Sequence, residues 1–461
     1  MDLAHTYLGE KVMEQGLKFL ANQSMDNIDR IIDWVEKIPM APHQRADLQN
    51  VKKFLKNRDS NWYRLAERLM SQTDPHVKQK LLVNFFLNAN FLGVPRQQEM
   101  AKKLGYSVPF AILIDPTERC NLNCIGCWAG DYQRQEELDY DTLDRILTEA
   151  EELGIYFIVV SGGEPLVRKN DIIKLANKHN SQVFHLFTNG TLVDDEFIEA
   201  MRRAGNITLA FSIEGFEQTT DARRGKGVFK KVMDAMDRMK KAGLIYGVST
   251  TYTRNNTEEL ASEEFVDMLV EKGVTFAWYF TYIPIGKDVD ISMMATPEQR
   301  AYMYDRILEY RRTKPIFIMD FWNDGEASDG CIAGGRRYLH INARGEVEPC
   351  AFVHYATCNI KDMSLKDALG SPLMKAYQKR QPFNRNLRRP CPIIDNPDML
   401  KEIVEESGAY PTQLHADETA SEFAKKLEPY AKEWARIADK IWEEKHPEQH
   451  TMAGLNKEGS F

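Results

Sequence analysis

The chain contains 461 residues, of which 43% are hydrophobic and 28% are charged, and this composition excludes a disordered or collagen-like protein. A chain of this length is expected to form two or more domains. Its formal net charge of −8, from 68 acidic and 60 basic residues without a basic block, argues against a nucleic-acid partner.

The first 105 residues carry helical patterns only. Apolar residues recur at helical spacing within 28–35 and 62–69, and Asp74 followed by Pro75 is typical of a helix start. The apolar stretch 80–92 is interrupted by asparagines; we interpret it as a helix packed on the following domain, with a membrane-surface helix or a lid as alternatives. No apolar run reaches the roughly 20 residues that span a bilayer, and the N-terminus lacks a signal-peptide pattern. We therefore expect a cytoplasmic protein, with membrane association as the alternative.

Between residues 106 and 315, short apolar strands alternate with amphipathic helices, which indicates an α/β domain with a parallel sheet. The predicted strands are 110–115, 155–160, 183–187, 207–212, 246–252 and 274–280. Six such units predict a partial (β/α)6 TIM-like barrel, in which the chemistry gathers at the C-terminal ends of the strands.

Three cysteines follow the first strand with the spacing C-x3-C-x2-C: Cys120, Cys124 and Cys127. Thiolates favour iron–sulfur clusters, zinc and copper(I). A [4Fe-4S] cluster needs four ligands, so three thiolates would leave one iron open to a substrate or cofactor. A structural zinc site with its fourth ligand elsewhere is the alternative.

The second strand ends in a glycine-rich loop formed by Gly162, Gly163, Glu164 and Pro165. Placed one strand after the cysteine triplet, this loop resembles the GGEP motif of the radical S-adenosylmethionine (SAM) superfamily, and the resemblance extends over residues 109–290. It implies that the open iron of a [4Fe-4S] cluster binds SAM and that the GGEP loop contacts the SAM amino group.

The resemblance also implies SAM contacts at later strand ends. Thr188, Asn189 and Ser212 can offer hydrogen bonds to a ribose or an amino acid head group, with helix capping and turn formation as the alternative. Arg224 is the candidate partner of the SAM carboxylate, because a guanidinium can bind a carboxylate with two hydrogen bonds. A solvated surface arginine is the alternative for this position.

Residues 316–395 lose the strand–helix alternation and contain the other four cysteines. Cys331 and Cys350 flank a predicted hairpin, an arrangement that resembles the SPASM and Twitch auxiliary-cluster domains. Because the dense cysteine group of a full SPASM domain is missing, the sequence predicts one auxiliary [4Fe-4S] cluster. Its predicted ligands are Cys331, Cys350, Cys358 and Cys391. If Cys358 is a structural thiol, His354 or the substrate would bind the fourth iron.

The remaining expectations concern the end of the chain and a general base. Residues 396–461 are predicted to be helical, and Pro429 is expected to start or kink a helix. Asp320, in an apolar stretch, is the candidate catalytic base, because burial shifts the pKa of a carboxyl group; a core position is the alternative. The predicted domains are therefore a helical region 1–105, a barrel 106–315, an auxiliary-cluster domain 316–395 and a helical tail 396–461.

The resemblance implies an oxidoreductase-like radical SAM enzyme that works at low oxygen. It would reduce SAM, with an electron from a donor such as ferredoxin or flavodoxin, to methionine and a 5′-deoxyadenosyl radical that removes hydrogen from an unactivated C–H bond. We expect a small-molecule or lipid-like substrate, for which the N-terminal helices could form a lid or a chain-accepting surface. A peptide-maturing enzyme is the alternative, although residues 1–105 lack the strands of a leader-peptide-binding module. A non-catalytic iron–sulfur electron-transfer protein is the remote alternative.

Overall fold

The computed structural model describes residues 15–17, 49, 52–53, 56–130, 135–413 and 418–447. The predicted helix at 28–35 lies outside the described residues. Within the described part of the chain, no helix combines the length and the apolar character needed to cross a membrane.

The N-terminal region forms helices α1 (Asn61–Gln72), α2 (Pro75–Leu81) and α3 (Val94–Leu104), with a π-helix (Leu82–Gly93) between α2 and α3. The predicted start of α2 is confirmed, because the Asp74 carboxylate accepts hydrogen bonds from the backbone N–H groups of His76 and Val77. Ser60 caps α1 in the same way by accepting from Tyr63 N at 3.0 Å.

Strands and helices then alternate, as predicted. The strands are β1 (Ala111–Ile114), β2 (Phe157–Val160), β3 (Val183–Thr188), β4 (Ile207–Ser212), β5 (Tyr246–Tyr252), β6 (Phe276–Thr281) and β7 (Phe317–Asp320). The helices are α4 (Tyr140–Leu153), α5 (Lys169–Lys178), α6 (Asp195–Ala204), α7 (Glu217–Arg224), α8 (Val228–Lys241), α9 (Thr257–Leu260), α10 (Glu263–Glu271) and α11 (Pro297–Thr313). Short 3₁₀ turns occupy Pro165–Arg168 and Ile291–Met293.

The C-terminal part adds four helices around two small strand pairs and ends in one long helix. Its elements are α12 (Gly325–Ser328), β8 (Tyr338–Ile341), β9 (Val347–Glu348), β10 (Tyr355–Ala356), α13 (Leu365–Leu369), α14 (Pro372–Lys379), α15 (Pro397–Ser407), β11 (Tyr410–Pro411) and α16 (Ala420–Lys445). Pro429 does not start a helix, because α16 begins at a capping box formed by Thr419 and Glu422 and continues through the proline.

One nine-stranded sheet contains all the barrel strands, in the order β7-β6-β5-β4-β3-β2-β1-β8-β9. Every pair from β7 to β8 is parallel, and β8 and β9 form the predicted hairpin. The prediction of a partial TIM-like barrel is confirmed. The sheet extends beyond six strands because β7 joins one edge and β8 pairs with β1 at the other.

The N-terminal helices close the end of the barrel at which the strands begin. Their polar side chains donate hydrogen bonds to carbonyl groups in the turns that precede successive strands. The donors and their acceptor residues are Asn61 (Arg311 and Lys314), Arg68 (Val270, Val274 and Pro315), Asn84 (Asn180 and Gln182) and Gln97 (Gly154). These bonds explain the asparagines in the apolar stretch 80–92, and this helical layer is called the floor of the barrel below.

Candidate functional site

A cavity of about 860 Å³ occupies the inside of the barrel. Its upper end, at the C-terminal ends of the strands, is lined by Cys120, Cys124 and Cys127. Its lower end is lined by side chains of the floor, including Phe85 and Phe86. The interior of a closed TIM barrel is normally filled by side chains, whereas this partial barrel contains a continuous cavity.

The loop that carries the three cysteines is fixed by backbone contacts to its neighbours. Arg223 Nε donates to Ile125 O at 3.1 Å, and Ile125 N donates to Arg223 O at 3.0 Å. The Gly163 and Glu164 amides donate to Thr117 O and Arg119 O, respectively. Burial raises the pKa of the Cys120 thiol to about 11, so metal binding would have to displace its proton.

The GGEP loop lies directly on the backbone of the cysteine loop. A Cβ atom at position 163 would lie 2.4 Å from the carbonyl oxygens of Glu118 and Arg119, so only glycine fits there. The carboxylate of Glu164 accepts hydrogen bonds from Thr188 Oγ1 at 2.6 Å, Asn189 N at 2.7 Å and Leu166 N at 3.0 Å. Glu164 therefore joins the second and third strand ends.

The other predicted cofactor contacts lie at the same end of the cavity. Thr188, Asn189 and Ser212 line it. The amide of Asn189 donates to Asn121 Oδ1 at 2.8 Å and lies 4.0 Å from the Cys120 sulfur. Pro165 is buried and begins a 3₁₀ turn, which places it behind the loop rather than against the cavity.

Two arginines at the end of α7 face the cysteines. Arg223 and Arg224 both line the cavity and both pair with the fully buried carboxylate of Glu214. Thr251 N donates to the second carboxylate oxygen of Glu214 at 2.9 Å. Glu214 was not predicted as a site residue; a carboxylate just after a strand and nine residues before two arginines was the signal for it.

Three of the four C-terminal cysteines surround two tyrosines. Tyr338 donates its hydroxyl hydrogen bond to Cys350 Sγ at 2.7 Å, and the Tyr377 hydroxyl lies 3.3 Å from Cys331 Sγ. Thiolate charge on Cys331, Cys350 or Cys391 would raise the pKa of both tyrosines, in addition to the effect of burial. Burial itself raises the pKa of Cys350 to about 12.

A repeated local geometry accompanies these thiols. The sulfurs of Cys120, Cys350 and Cys391 each accept a hydrogen bond from the backbone N–H two residues later, at 3.4, 3.5 and 3.4 Å. The N–H groups of Ala129 and Ala333 face Cys127 and Cys331 in the same way. Such donors stabilise a thiolate, and hydrogen bonds to sulfur are among the features that tune iron–sulfur sites.

Cys358 is not brought to the other three. It lies in the core cluster with Ile360 and Leu365, whereas Cys350 and Cys391 lie in the separate cluster between the barrel and the C-terminal helices. Its side chain contacts Ser371 instead of a backbone N–H. The other predicted fourth ligand, His354, stacks on Trp128 and lies 3.9 Å from Glu348.

The structure places Asp320, the predicted catalytic base, outside the lining of the cavity. Alternation along β7 places Met319 and Phe321 against the cavity, so Asp320 faces the opposite side of the strand. There it accepts hydrogen bonds from Asn323 N and Nδ2, and burial raises its pKa to about 7.

A buried charged triad joins the two cysteine regions. His340 of β8 lies between Asp115 after β1 (2.8 Å) and Glu348 of β9 (2.6 Å). Burial would lower the pKa of His340, but the two carboxylates raise it to about 10, so the ring is held protonated. Trp128, next to Cys127, packs edge-on against this histidine with ring centroids 5.8 Å apart.

The cysteine thiols are compatible with iron–sulfur clusters. Within the described ranges, no three His, Cys, Asp or Glu side chains are arranged around one metal-ion position. The thiolates of an iron–sulfur cluster bind different iron atoms, so they need not converge on one point. All seven cysteines are free thiols, which leaves each of them able to act as a ligand.

Two family matches cover the two cysteine regions. Residues 114–269 match the radical SAM superfamily. Residues 331–392 match SPASM, an iron–sulfur cluster-binding domain.

Curated relatives share about a quarter of their residues with this chain. The AdoMet-dependent heme synthase of Methanosarcina barkeri is 25% identical over 57% of this chain and 82% of its own length. The mycofactocin maturase MftC of Mycolicibacterium smegmatis is 27% identical over 56% of this chain and 68% of its own. The sporulation killing factor maturation protein SkfB of Bacillus subtilis is 25% identical over 69% of this chain and 80% of its own length.

Among solved structures, Streptococcus suis SuiB is similar in fold, with a TM-score of 0.51 and 18% identity over 67% of this chain and 74% of that one.

Proposed function

Since the chain is a radical SAM enzyme with a SPASM-type iron–sulfur domain, whose cofactors are SAM and [4Fe-4S] clusters, we propose that Cys120, Cys124 and Cys127 hold the SAM-binding cluster. The observation that supports this assignment is that the three thiols, the GGEP loop and two arginines line the upper end of one cavity. When bound, the cluster and SAM supply a 5′-deoxyadenosyl radical that takes a hydrogen atom from a substrate C–H bond.

In this proposal, each residue at the upper end of the cavity has its own role. The missing side chains of Gly162 and Gly163 let the GGEP loop lie on the backbone of the cysteine loop, and this packing holds the loop in place to contact the SAM amino group. Arg224 pairs with the SAM carboxylate, and Glu214 orients the Arg224 guanidinium. Glu164 acts as a positioning residue, because its carboxylate already accepts three hydrogen bonds. Thr188, Asn189 and Ser212 offer hydrogen bonds at the rim. The floor keeps the lower cavity apolar, which protects a radical from water.

For the auxiliary cluster we propose Cys331, Cys350 and Cys391 as ligands, with the fourth position left to a non-cysteine group. The shared backbone N–H geometry and the shared tyrosine environment support these three. Cys358 has neither feature.

Cys358→Ala is expected to leave the iron content unchanged, because the thiol packs in a separate core. Cys391→Ala, the matched control at a proposed ligand, is expected to lower iron and acid-labile sulfide by up to about four atoms each per chain. Anaerobic reconstitution followed by iron and sulfide analysis checks both. Equal losses of iron and sulfide in the two variants would show that Cys358 is also a ligand.

The substrate has two candidate classes. The names of two relatives, a mycofactocin maturase and a sporulation killing factor maturation protein, favour peptide maturation over the small-molecule or lipid-like substrate expected from the sequence. The apolar lining of the barrel cavity favours a lipid-like substrate, and this observation keeps it as the second candidate.

The proposal also includes a low-potential electron donor and a cytoplasmic location. It keeps the four predicted domains, with the bounds 1–105, 106–315, 316–395 and 396–461.

The test of the function is SAM cleavage by the anaerobically reconstituted protein with dithionite. We expect 5′-deoxyadenosine and methionine in equal amounts, detected by chromatography, and deuterium transfer into 5′-deoxyadenosine from a deuterated substrate. Protein that carries all its iron but forms no 5′-deoxyadenosine would contradict the proposal.

A further inference from the structure

The lower half of the barrel cavity differs in chemistry from the upper end. Large apolar side chains from strands on both sides of the barrel line it: Phe110, Phe157, Phe276, Trp278, Phe317 and Met319. The floor adds further apolar groups through α1, α2 and the π-helix. π-Helical segments are rare and frequently occur at functional sites.

The polar groups in this half are mostly paired with one another. His185 Nδ1 lies 2.9 Å from Thr208 Oγ1, and Trp278 Nε1 donates to His185 Nε2 at 3.2 Å. Burial lowers the pKa of His185 to about 3, so the ring is neutral. A peptide backbone placed here would find few partners for its N–H and C=O groups, and unpaired buried groups weaken binding.

The part of β6 that lines the cavity has a length comparable to that of an acyl chain in one bilayer leaflet. From Phe276 to Phe280, both of which line it, β6 rises by about 13 Å at roughly 3.3 Å per residue. One leaflet of a bilayer has acyl chains about 15 Å long, half of the roughly 30 Å hydrocarbon core.

The lower end opens to the surface between aromatic residues and carries unpaired positive charge. Phe86 and Phe317 line the cavity and are also 54% and 44% exposed. Lys78 lines it too, is only 9% exposed, and donates to Met70 O at 2.6 Å. Among the described residues Lys78 forms no ion pair, and the carboxylate of Asp74, which caps the same helix, pairs with Arg202 instead. A largely buried lysine without a counter-ion favours an anion.

We propose that the lower cavity binds a long hydrocarbon chain with an anionic head group, as in a fatty acid or an anionic phospholipid. The head group pairs with Lys78 at the floor, and the chain extends toward the cysteine end, where its C–H bonds meet the radical. This inference rests on the proposed function and names its substrate class.

The test measures binding to the full chain with its clusters in place. A dibrominated octadecanoic acid is expected to quench the fluorescence of Trp278, and Trp278→Phe is expected to remove most of that quenching. Phosphatidylglycerol vesicles with the same brominated chains form the second arm, which distinguishes a membrane lipid from a free fatty acid. Quenching in either arm supports the proposal, and quenching in neither arm overturns it.

Two variants locate the chain and the head group. Ser249→Phe adds a ring to the lining of the mid-barrel and is expected to weaken binding by about tenfold or more. Lys78→Ala is expected to weaken binding of the acid by about tenfold and to leave binding of octadecanol unchanged. Lys102→Ala, at an exposed lysine of α3, is the matched control and should bind like the unmodified protein. Circular dichroism confirms that each variant is folded.

The outcomes separate this inference from the proposed function. A folded Ser249→Phe variant that still binds the acid at full strength would place the lipid outside the barrel and overturn the inference. Equal losses for acid and alcohol in Lys78→Ala would overturn the assignment of the head group. If 5′-deoxyadenosine forms only with a peptide and no lipid binds, the inference fails while the function stands. If lipid binds but fully loaded protein does not cleave SAM, the function fails.

Discussion

Replacing Cys120, Cys124 and Cys127 together by alanine is expected to abolish 5′-deoxyadenosine formation and to remove about four iron atoms per chain. The reason is that the three thiols line the upper end of the barrel cavity beside the GGEP loop and the two arginines of α7. About four iron atoms should remain, because Cys331, Cys350 and Cys391 lie in a separate cluster of the core. Iron analysis and chromatography of the reaction with dithionite check the result.

The matched control for this triple variant is Cys358→Ala, which should keep both the iron content and the SAM cleavage of the unmodified protein. A triple variant that still forms 5′-deoxyadenosine would show that SAM is reduced elsewhere. A triple variant without any iron would show that the C-terminal thiols hold no cluster of their own.

Arg300→Met is expected to lower the free energy of unfolding by about 3–5 kcal/mol, because it leaves the buried carboxylate of Asp395 without its counter-charge. Both side chains are fully buried, and the guanidinium also lies 4.2 Å above the ring of Trp434 and donates to Asn323 Oδ1. Asp395 in turn accepts a hydrogen bond from Cys391 N at 3.0 Å. The same variant should therefore lose iron from the auxiliary cluster more readily. Denaturant unfolding under anaerobic conditions measures the free energy.

Arg312→Met, at an exposed position on the same helix, is the control and should change stability by less than about 0.5 kcal/mol. The double variant Arg300→Met/Asp395→Asn should recover part of the loss, because a neutral amide needs no counter-charge. If Arg300→Met is as stable as the control, the buried pair contributes no net stability to the fold.

The strands and the upper site could be predicted because their signals are local. Short apolar runs alternate with helices, and the chemically distinctive residues follow strand ends, where a parallel sheet brings them to one edge. The GGEP loop, Thr188 and Asn189 therefore lie beside the cysteine triplet in space. A strand face is less predictable: β7 is apolar on both sides, so the sequence did not show that Met319 would face the cavity and Asp320 would not.

The features that the sequence did not reveal depend on residues far apart along the chain. Asp115 and His340 are separated by 225 positions, and they meet only because β8 pairs with β1. The cavity depends on side chains from the strands and the floor together. The sequence also does not show that Lys78 forms no ion pair with the carboxylates of the described residues. Cys358 has the same residue type as the three proposed auxiliary ligands, and only its surroundings separate it from them.

The parallel pairing of β8 with β1 also covers one edge of the barrel sheet. Without β8, the N–H and C=O groups of Ala111–Ile114 on that side would form a bare edge beside an apolar interior, and such edges recruit strands from other molecules. The hairpin that carries Cys350 to its position therefore also covers this edge of the sheet. A chain cut before residue 331 should therefore aggregate rather than persist as an independent barrel, even though every residue of the upper site would still be present.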